Sequence, residues 1–178
     1  KWEARVQIGE ILFGKVERYD EALAHYQALV KLRPAGSQAP DMQFRIAKSQ
    51  FFLRKFDDAM QTYRELQRRY PGTPLAERAA FELGMTYLTR ASQQNEERTS
   101  LAASYQEALD VFQAFLRKYP KSRWAPEARF GIANCLEEMD QLEAAYRAFE
   151  ELKSSYPSPI VVQTRMIRIR ERLLQRKR

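Results

Sequence analysis

The sequence is poor in residues that break helices and in residues that build metal or disulfide sites. Its 178 residues include 6 glycines, 8 prolines, one histidine and one cysteine. Few helix breakers, together with many Ala, Leu, Glu, Gln, Arg and Lys residues, predict an almost wholly helical chain. A single cysteine forms no internal disulfide, and one His with one Cys cannot assemble a Cys/His zinc site. We therefore expect no metal and no cofactor, and we expect Cys135 to be a packed free thiol.

Signatures of catalysis and of membrane insertion are also missing. No Gly-rich loop has Walker or Rossmann spacing, and nothing near His25 resembles a nucleophile turn. Carboxylates such as Glu137 and Glu138 lie in helical segments amid basic residues, where we expect solvated faces. No apolar run approaches the length needed to cross a bilayer. The sequence thus predicts a protein that is not an enzyme and takes no small-molecule substrate.

The positive charge is concentrated at the C-terminal end. The net charge is +7, and residues 160–178 hold seven basic residues and one acid, which leaves +1 for the rest of the chain. Apolar positions at helical spacing in this segment predict a face that packs on the preceding helix, while arginines occupy another side. The apolar positions are Val162, Met166, Ile169 and Leu173, and the arginines are Arg165, Arg168, Arg172 and Arg176. For the arginines, a solvated face, contact with an acidic partner or anionic lipid, and contact with nucleic acid all stay open.

An internal repeat organises the rest of the chain. Four segments ending at Pro34, Pro71, Pro120 and Pro157 lie 37, 49 and 37 residues apart, so one repeat carries an insertion of twelve residues. They read YDEALAHYQALVKLRP, FDDAMQTYRELQRRYP, YQEALDVFQAFLRKYP and LEAAYRAFEELKSSYP. Alanine stands twelve residues before each proline and an aromatic residue eight before it. Each segment therefore predicts a helix with a core-facing alanine and ring, ended by the proline.

Each of these helices follows another helix with its own recurring pattern. VQIG, FRIA, FELG and FGIA place a small residue where two helices can cross closely (Gly9, Ala47, Gly84 and Ala133). A small residue, an aromatic, an alanine, an aromatic and a terminal proline at these spacings resemble the tetratricopeptide repeat. The links RRYPGTPLAERAAFELG and RKYPKSRWAPEARFGIA are similar to the subtype found in bacterial outer-membrane assembly lipoproteins and the Tol–Pal coordinator. After the fourth pair the resemblance to the assembly lipoprotein ends in a basic helix.

This resemblance implies an all-α fold, a right-handed superhelical solenoid of four helix pairs plus a C-terminal capping helix. We predict helices at about 2–14, 19–32, 39–53, 56–69, 74–91, 102–118, 123–138, 141–155 and 159–176. They form a single array over residues 1–178, with repeats at about 2–36, 39–73, 76–122 and 125–158 and a capping helix at 159–176. The polar insertion at 92–104 is predicted to extend the helix before it and then to form a loop. It is read either as a tolerated surface insertion or as a partner-specific protrusion.

In tetratricopeptide arrays the first helix of each pair lines the concave surface, so the resemblance implies a binding groove. Its predicted residues are Phe44, Lys48, Phe51, Phe52, Arg78, Phe81, Met85, Leu88, Phe130 and Asn134. Rigid aromatic residues suit an apolar or amphipathic partner segment. The equivalent phenylalanines Phe44, Phe81 and Phe130 could instead pack between repeats, whereas Phe51 and Met85 are expected to be exposed in the groove.

The function implied is a scaffold or adaptor that binds a protein or peptide without a cofactor. The subtype places it in a bacterial cell-envelope assembly, in the periplasm and associated with the outer membrane through a lipid anchor on the parent protein or through the basic helix. Two alternatives stay open: a cytosolic adaptor or regulator, and an anionic membrane-surface or nucleic-acid binder that uses Arg165, Arg168, Arg172 and Arg176. Nucleic acid is the less favoured partner, because most aromatics occupy core positions.

Overall fold

The regular structure consists of helices throughout residues 2–34, 36–93 and 98–176, which the computed structural model describes. The helices are α1 (Trp2–Gly14), α2 (Tyr19–Leu32), α3 (Ala39–Phe52), α4 (Phe56–Arg69), α5 (Pro74–Gln93), α6 (Arg98–Lys118), α7 (Ala125–Glu138), α8 (Leu142–Leu152) and α9 (Pro159–Arg176). The predicted fold class, helix pairs followed by a terminal helix, is confirmed. Both ends of the inserted segment that are described continue helices α5 and α6. Its centre, residues 94–97, lies outside the described residues.

Three first helices end in the same way, at a residue with positive φ two positions before the next helix. These residues are Glu17, Arg54 and Asp140, with φ of 53°, 60° and 65°. In the second pair, the amides of Arg54 and of the residue after it, Lys55, donate hydrogen bonds to carbonyls in the last turn of α3. Asp140 and Gln141 donate in the same way to carbonyls of α7 in the fourth pair. This is the Schellman arrangement, which usually employs glycine at the left-handed position. Because no glycine is present, each turn holds a strained backbone conformation.

The chain divides into two compact units, and unit 1 comprises residues 1–86. Its core joins α2 to α3 through buried residues that include Leu23, Tyr26, Met42 and Ile46. Gly9 of α1 lies against the ring of Tyr26, where an added Cβ would stand 2.7 Å from ring carbons. The small residue of the first pair therefore permits the close helix crossing that the repeat pattern predicted.

Unit 2 comprises residues 87–178. Phe149 of α8 is fully buried in a cluster that includes Val162, Met166 and Ile169 of α9. The prediction that the apolar face of the last helix covers the last pair is confirmed. Gly131 of α7 lies against the buried ring of Phe112 in α6, the second helix of the preceding pair, whereas Gly9 meets the second helix of its own pair. Close backbone approach thus recurs in both units.

Candidate interaction surfaces

The first helices of unit 1 share one charged face, which we call the A-helix face. Glu10 of α1 pairs with Arg45 of α3 at 2.7 Å, and Lys48 of α3 pairs with Glu82 of α5 at 3.2 Å. Arg78 of α5 lies 3.9 Å from the same Glu82 carboxylate. These pairs link α1, α3 and α5 side by side, as the repeat resemblance implies for first helices. A row of paired cations and carboxylates therefore lies along one face of the unit.

The ion-paired residues Glu10 and Arg45 border an open pocket between α1 and α3. Its volume is about 340 Å³, and its walls include Val6 and Met42 as well as Glu10 and Arg45. The buried Tyr26 hydroxyl donates to the Glu10 carboxylate at 3.1 Å, which fixes one wall. Burial and the neighbouring Glu10 raise the pKa of Tyr26 above its usual range, so the hydroxyl keeps its proton.

Five aromatic rings form a cluster at the ends of α1 and α3, and we call it the ring cluster. Its members are Phe13, Tyr19, Phe51, Phe52 and Phe56. Tyr19 and Phe52 stack with centroids 4.5 Å apart, and Phe51 meets Phe52 edge-on at 5.5 Å. Phe52 is 44% exposed although it contacts three other rings. The rings brace one another and still present apolar surface to solvent.

Cations of the A-helix face lie over the ring cluster. The Lys48 ammonium is 5.4 Å from the centroid of Phe51 and 5.3 Å from that of Phe52. The Arg45 guanidinium lies 5.4 Å from the centroid of Phe13. Cations over exposed rings interact favourably with them, on the order of 0.5–1 kcal/mol each. The result is a surface that combines aromatic area with cations that are also paired with carboxylates.

The predicted groove residues in unit 1 separate into buried and accessible groups. Phe44 and Phe81 are buried, and Phe44 packs on Tyr63 with centroids 5.8 Å apart. These two rings serve core packing, the alternative that the sequence left open. Phe51 and Met85 are half-buried. Lys48, Phe52 and Arg78 are at least partly accessible and lie on the A-helix face or in the ring cluster.

In unit 2 the predicted groove residues are less accessible. Phe130 stacks on Tyr156 at 4.6 Å and meets Phe149 edge-on at 5.3 Å. Leu88 is half-buried against the cluster that contains Tyr105. Asn134 is half-buried on α7. Phe130, the aromatic residue among these predicted positions, therefore packs against its own unit.

The expectation that Glu137 lies on a solvated face is wrong. Its side chain is 1% exposed, and it accepts hydrogen bonds from Arg165 at 3.2 Å and from the Arg168 Nε at 2.8 Å. Arg172 lies 3.7 Å from the same carboxylate. The correction has a physical reason: α9 brings three guanidiniums over this one carboxylate, and pairing makes its burial tolerable.

The arginine row of α9 continues to a second carboxylate at the turn after α7. Arg172 donates to Asp140 at 2.9 Å, and Arg176 donates to the other oxygen of the same carboxylate. All four predicted arginines therefore contact acids of α7 or its turn. The sequence carried a signal for this: the arginines recur at spacings of three and four, and two acids three residues apart lie where they can meet them. The row contributes to holding α9 in place.

Cys135 is buried in the cluster between α6 and α7, as predicted for a packed thiol. Burial raises its pKa to about 12, so the thiolate is scarce at neutral pH. Among the described residues, no group of three or more His, Cys, Asp or Glu side chains could hold a metal ion. None of the described helices combines the length and apolar character of a membrane span.

The paired helices and the recurring small residues define a tetratricopeptide-type helical-repeat protein, a class whose fold serves protein–protein interaction. The model of the YfiO family, outer membrane lipoprotein, matches residues 15–156, and this chain belongs to that family. The match stops before α9. It supports the predicted resemblance to the assembly-lipoprotein subtype.

Solved structures show the same fold. A MamA fragment, residues 41 to the end, from Desulfovibrio magneticus RS-1 has a TM-score of 0.72 at 15% identity, covering 99% of this chain and 87% of that one. The nearly identical TPR-like repeats of a kinesin light chain-type protein from Podosopora anserina give 0.70 at 13%, covering 98% and 88%. A thermophilic TPR protein from Thermus thermophilus gives 0.54 at 18%, covering 95% and 98%. No curated protein matches the sequence.

Proposed function

We propose that this protein is a non-catalytic scaffold that binds a peptide or protein segment on the A-helix face of unit 1. The assembly it serves is in the bacterial cell envelope, on the periplasmic side of the outer membrane. The family supports this compartment, because its members are outer membrane lipoproteins. A lipid anchor on the parent protein would then attach the scaffold to the membrane.

The ring cluster is the observation that carries the proposal. Phe52 remains 44% exposed, whereas the core rings Tyr26 and Tyr63, which are equivalent to each other in the repeats, are buried almost completely. Rigid aromatic residues bind at low entropic cost because their neighbours already fix their rotamers. Lys48 and Arg45 lie beside the rings and are paired with Glu82 and Glu10, so a partner segment with apolar side chains flanked by carboxylates would share these cations.

Site-specific crosslinking tests this assignment. A photoreactive phenylalanine at position 52 should capture a defined envelope protein, and the same residue at position 160 should not. Position 160 is a matched control because Ile160 is also apolar and is 75% exposed, but lies on α9. Mass spectrometry of the adduct identifies both the partner and the segment that touches the ring.

A paired substitution gives the energetic counterpart. We expect the Phe51→Ala, Phe52→Ala variant to bind the captured partner at least about tenfold more weakly, because rigid aromatic anchors carry much of an interface's energy. The Ile160→Ala variant should bind normally, and thermal melts must show that both variants fold. Equal crosslinking at positions 52 and 160, or unchanged binding by a folded double variant, would contradict the proposal.

The arginines of α9 support a second candidate, contact with an anionic surface. Arg168 and Arg176 keep side chains about half exposed while they contact Glu137 and Asp140. Four guanidiniums face two carboxylates there, which leaves net positive charge at this surface. Binding to vesicles that contain anionic lipid, lost on Arg168→Gln, Arg176→Gln substitution and weakened by salt, would favour this candidate. No binding at low salt would dismiss it.

A further inference from the structure

The structure repeats one kind of interface, in which a first helix is covered by the second helix of the preceding pair. In α3, Met42 and Ile46 pack on α2. In α7, Ile132 and Cys135 pack on α6, and in α9, Ile169 packs on α8. Ile46, Ile132 and Ile169 occupy equivalent places in their helices.

Helix α1 carries the same surface with nothing over it among the described residues. Ile8 immediately precedes Gly9, as Ile46 precedes Ala47, and it is 48% exposed. Ala4 and Ile11 stand at the positions of Met42 and Ser49 in α3, both of which are buried. Ala4, Ile8 and Ile11 lie one helical turn apart and form one stripe. We call this stripe the α1 outer face.

The acidic first turn of α1 also follows the covered helices. Glu3 stands at the position of Asp41 in α3 and Glu127 in α7, in the first turn of each helix. Lys15 follows the other end of α1. Helix α2, which covers α3, has the same polarity along the chain: it is acidic in its first turn and ends with Lys31. Because consecutive helices joined by short links run antiparallel, such a helix would meet α1 with opposite charges at both ends.

The exposed stripe of α9 differs from this pattern. Ile160, Ile167 and Leu174 lie on the side where α7 meets its own second helix through the small residue Ala133. At the corresponding place α9 has the exposed Arg170, and it has no acid in its first turn. A helix cannot cross closely over an arginine at that position. Both α1 and α9 therefore expose apolar residues. Of the two, α1 has the small residue, the apolar stripe and the acidic first turn that are found in the covered helices.

We propose that the α1 outer face binds an amphipathic α-helix of another protein, with the pattern of this chain's own second helices. As in α2, that helix has an acidic first turn and a basic last turn. It carries an alanine, an apolar residue directly after it, an aromatic four residues after the alanine and a large apolar residue three further on. Ala22, Leu23, Tyr26 and Leu29 of α2 give this pattern, and all four are buried in the core that α2 shares with α1 and α3. The interaction continues the interface that recurs along the chain and is separate from the ring cluster.

The test measures binding of a fluorescent, helix-stabilised peptide with the sequence of residues 19–33 to the whole chain. We expect saturable binding by fluorescence anisotropy. Ile8→Glu should weaken peptide binding by about tenfold or more, because the interface would then have to bury a charged carboxylate in place of an apolar side chain. Ile167→Glu is the matched control, since Ile167 is 61% exposed on α9, and it should bind the peptide normally.

Controls separate the other occupants and the other site. Thermal melts establish that both glutamate variants fold, and the Phe51→Ala, Phe52→Ala variant should bind the peptide normally even if it loses the partner of the ring cluster. The proposal is overturned if Ile8→Glu and Ile167→Glu bind equally. It is also overturned if sedimentation shows a dimer that Ile8→Glu abolishes, or if the parent protein covers the face with its own chain and excludes the peptide.

Discussion

The buried Glu137 carboxylate can be tested by the Glu137→Gln substitution, which preserves shape and removes charge. The carboxylate is 1% exposed and is contacted by Arg165, Arg168 and Arg172. In the variant, an uncharged amide would face three guanidiniums, and its NH2 group could not accept their hydrogen bonds. We expect α9 to lose much of its polar attachment to α7.

The size of the expected loss of stability depends on how far water can hydrate the guanidiniums that lose their partner. Breaking a fully buried ion pair costs about 3–5 kcal/mol, because it leaves a buried charge unpaired. Here the guanidinium side chains of Arg165, Arg168 and Arg172 are 32%, 51% and 39% exposed, so they can regain hydration. We therefore expect a loss of about 2–3 kcal/mol, near the value for hydrogen bonds to charged groups. For a chain of this length that corresponds to a melting point lower by roughly 4–12 °C.

Thermal melts followed by circular dichroism measure this shift, and amide hydrogen exchange locates it. Exchange should accelerate first in α9, which Glu137 helps to hold. Glu138→Gln is the matched control: its neighbouring carboxylate is exposed, and such surface changes usually stay within about 0.5 kcal/mol. The reasoning would be refuted if the folded Glu137→Gln variant melted within about 1 °C of the unsubstituted protein, which is the size of a surface effect. Equal shifts in the two variants would refute it as well.

Three further predictions concern single positions. Burial raises the pKa of Cys135 to about 12, so above about pH 9 the native chain keeps a proton that the unfolded chain loses. The free energy of unfolding should therefore fall as the pH rises from about 9. Cys135→Ala should reduce that fall, as measured by urea titrations at about pH 7 and pH 10. Arg54→Gly should raise the urea midpoint, since the left-handed backbone there costs about 1–2 kcal/mol, whereas Lys55→Gly, at φ of −83°, should lower it. Gly131→Ala should destabilise by about 1–3 kcal/mol in the same assay, because its Cβ would stand 2.6 Å from a buried phenylalanine ring, while Gly14→Ala, with open space around it, should not.

The helices could be predicted from sequence because their signals are local. Tyr26 and its equivalents recur at fixed distances from an alanine and a proline, and a pattern of that kind depends only on the segment that contains it. Boundaries shifted where a cap intervened: Ser122 bonds the Trp124 amide before α7 begins at Ala125, two residues later than predicted.

The surfaces were harder to predict because they depend on residues far apart in the chain. Glu137 and Arg168 are 31 residues apart, and the spacing of the arginines indicates a row without showing that its partner carboxylate is buried. Phe44 and Phe52 are both phenylalanines of α3, yet one is buried against α4 and the other is half exposed among rings of α1 and α2. The repeat pattern gives their positions along the helix; the packing of neighbouring helices decides their exposure.

Helix α9 is attached by two kinds of force that respond oppositely to dissolved ions. Its apolar side, with Val162 and Ile169 fully buried, is held more firmly when strongly hydrated salts are added. Its arginine side, on Glu137 and Asp140, is weakened by the same ions, because they screen partly exposed charges. The two responses offset each other, so the terminal helix can remain attached over a range of ionic strengths in which a purely ionic contact would loosen.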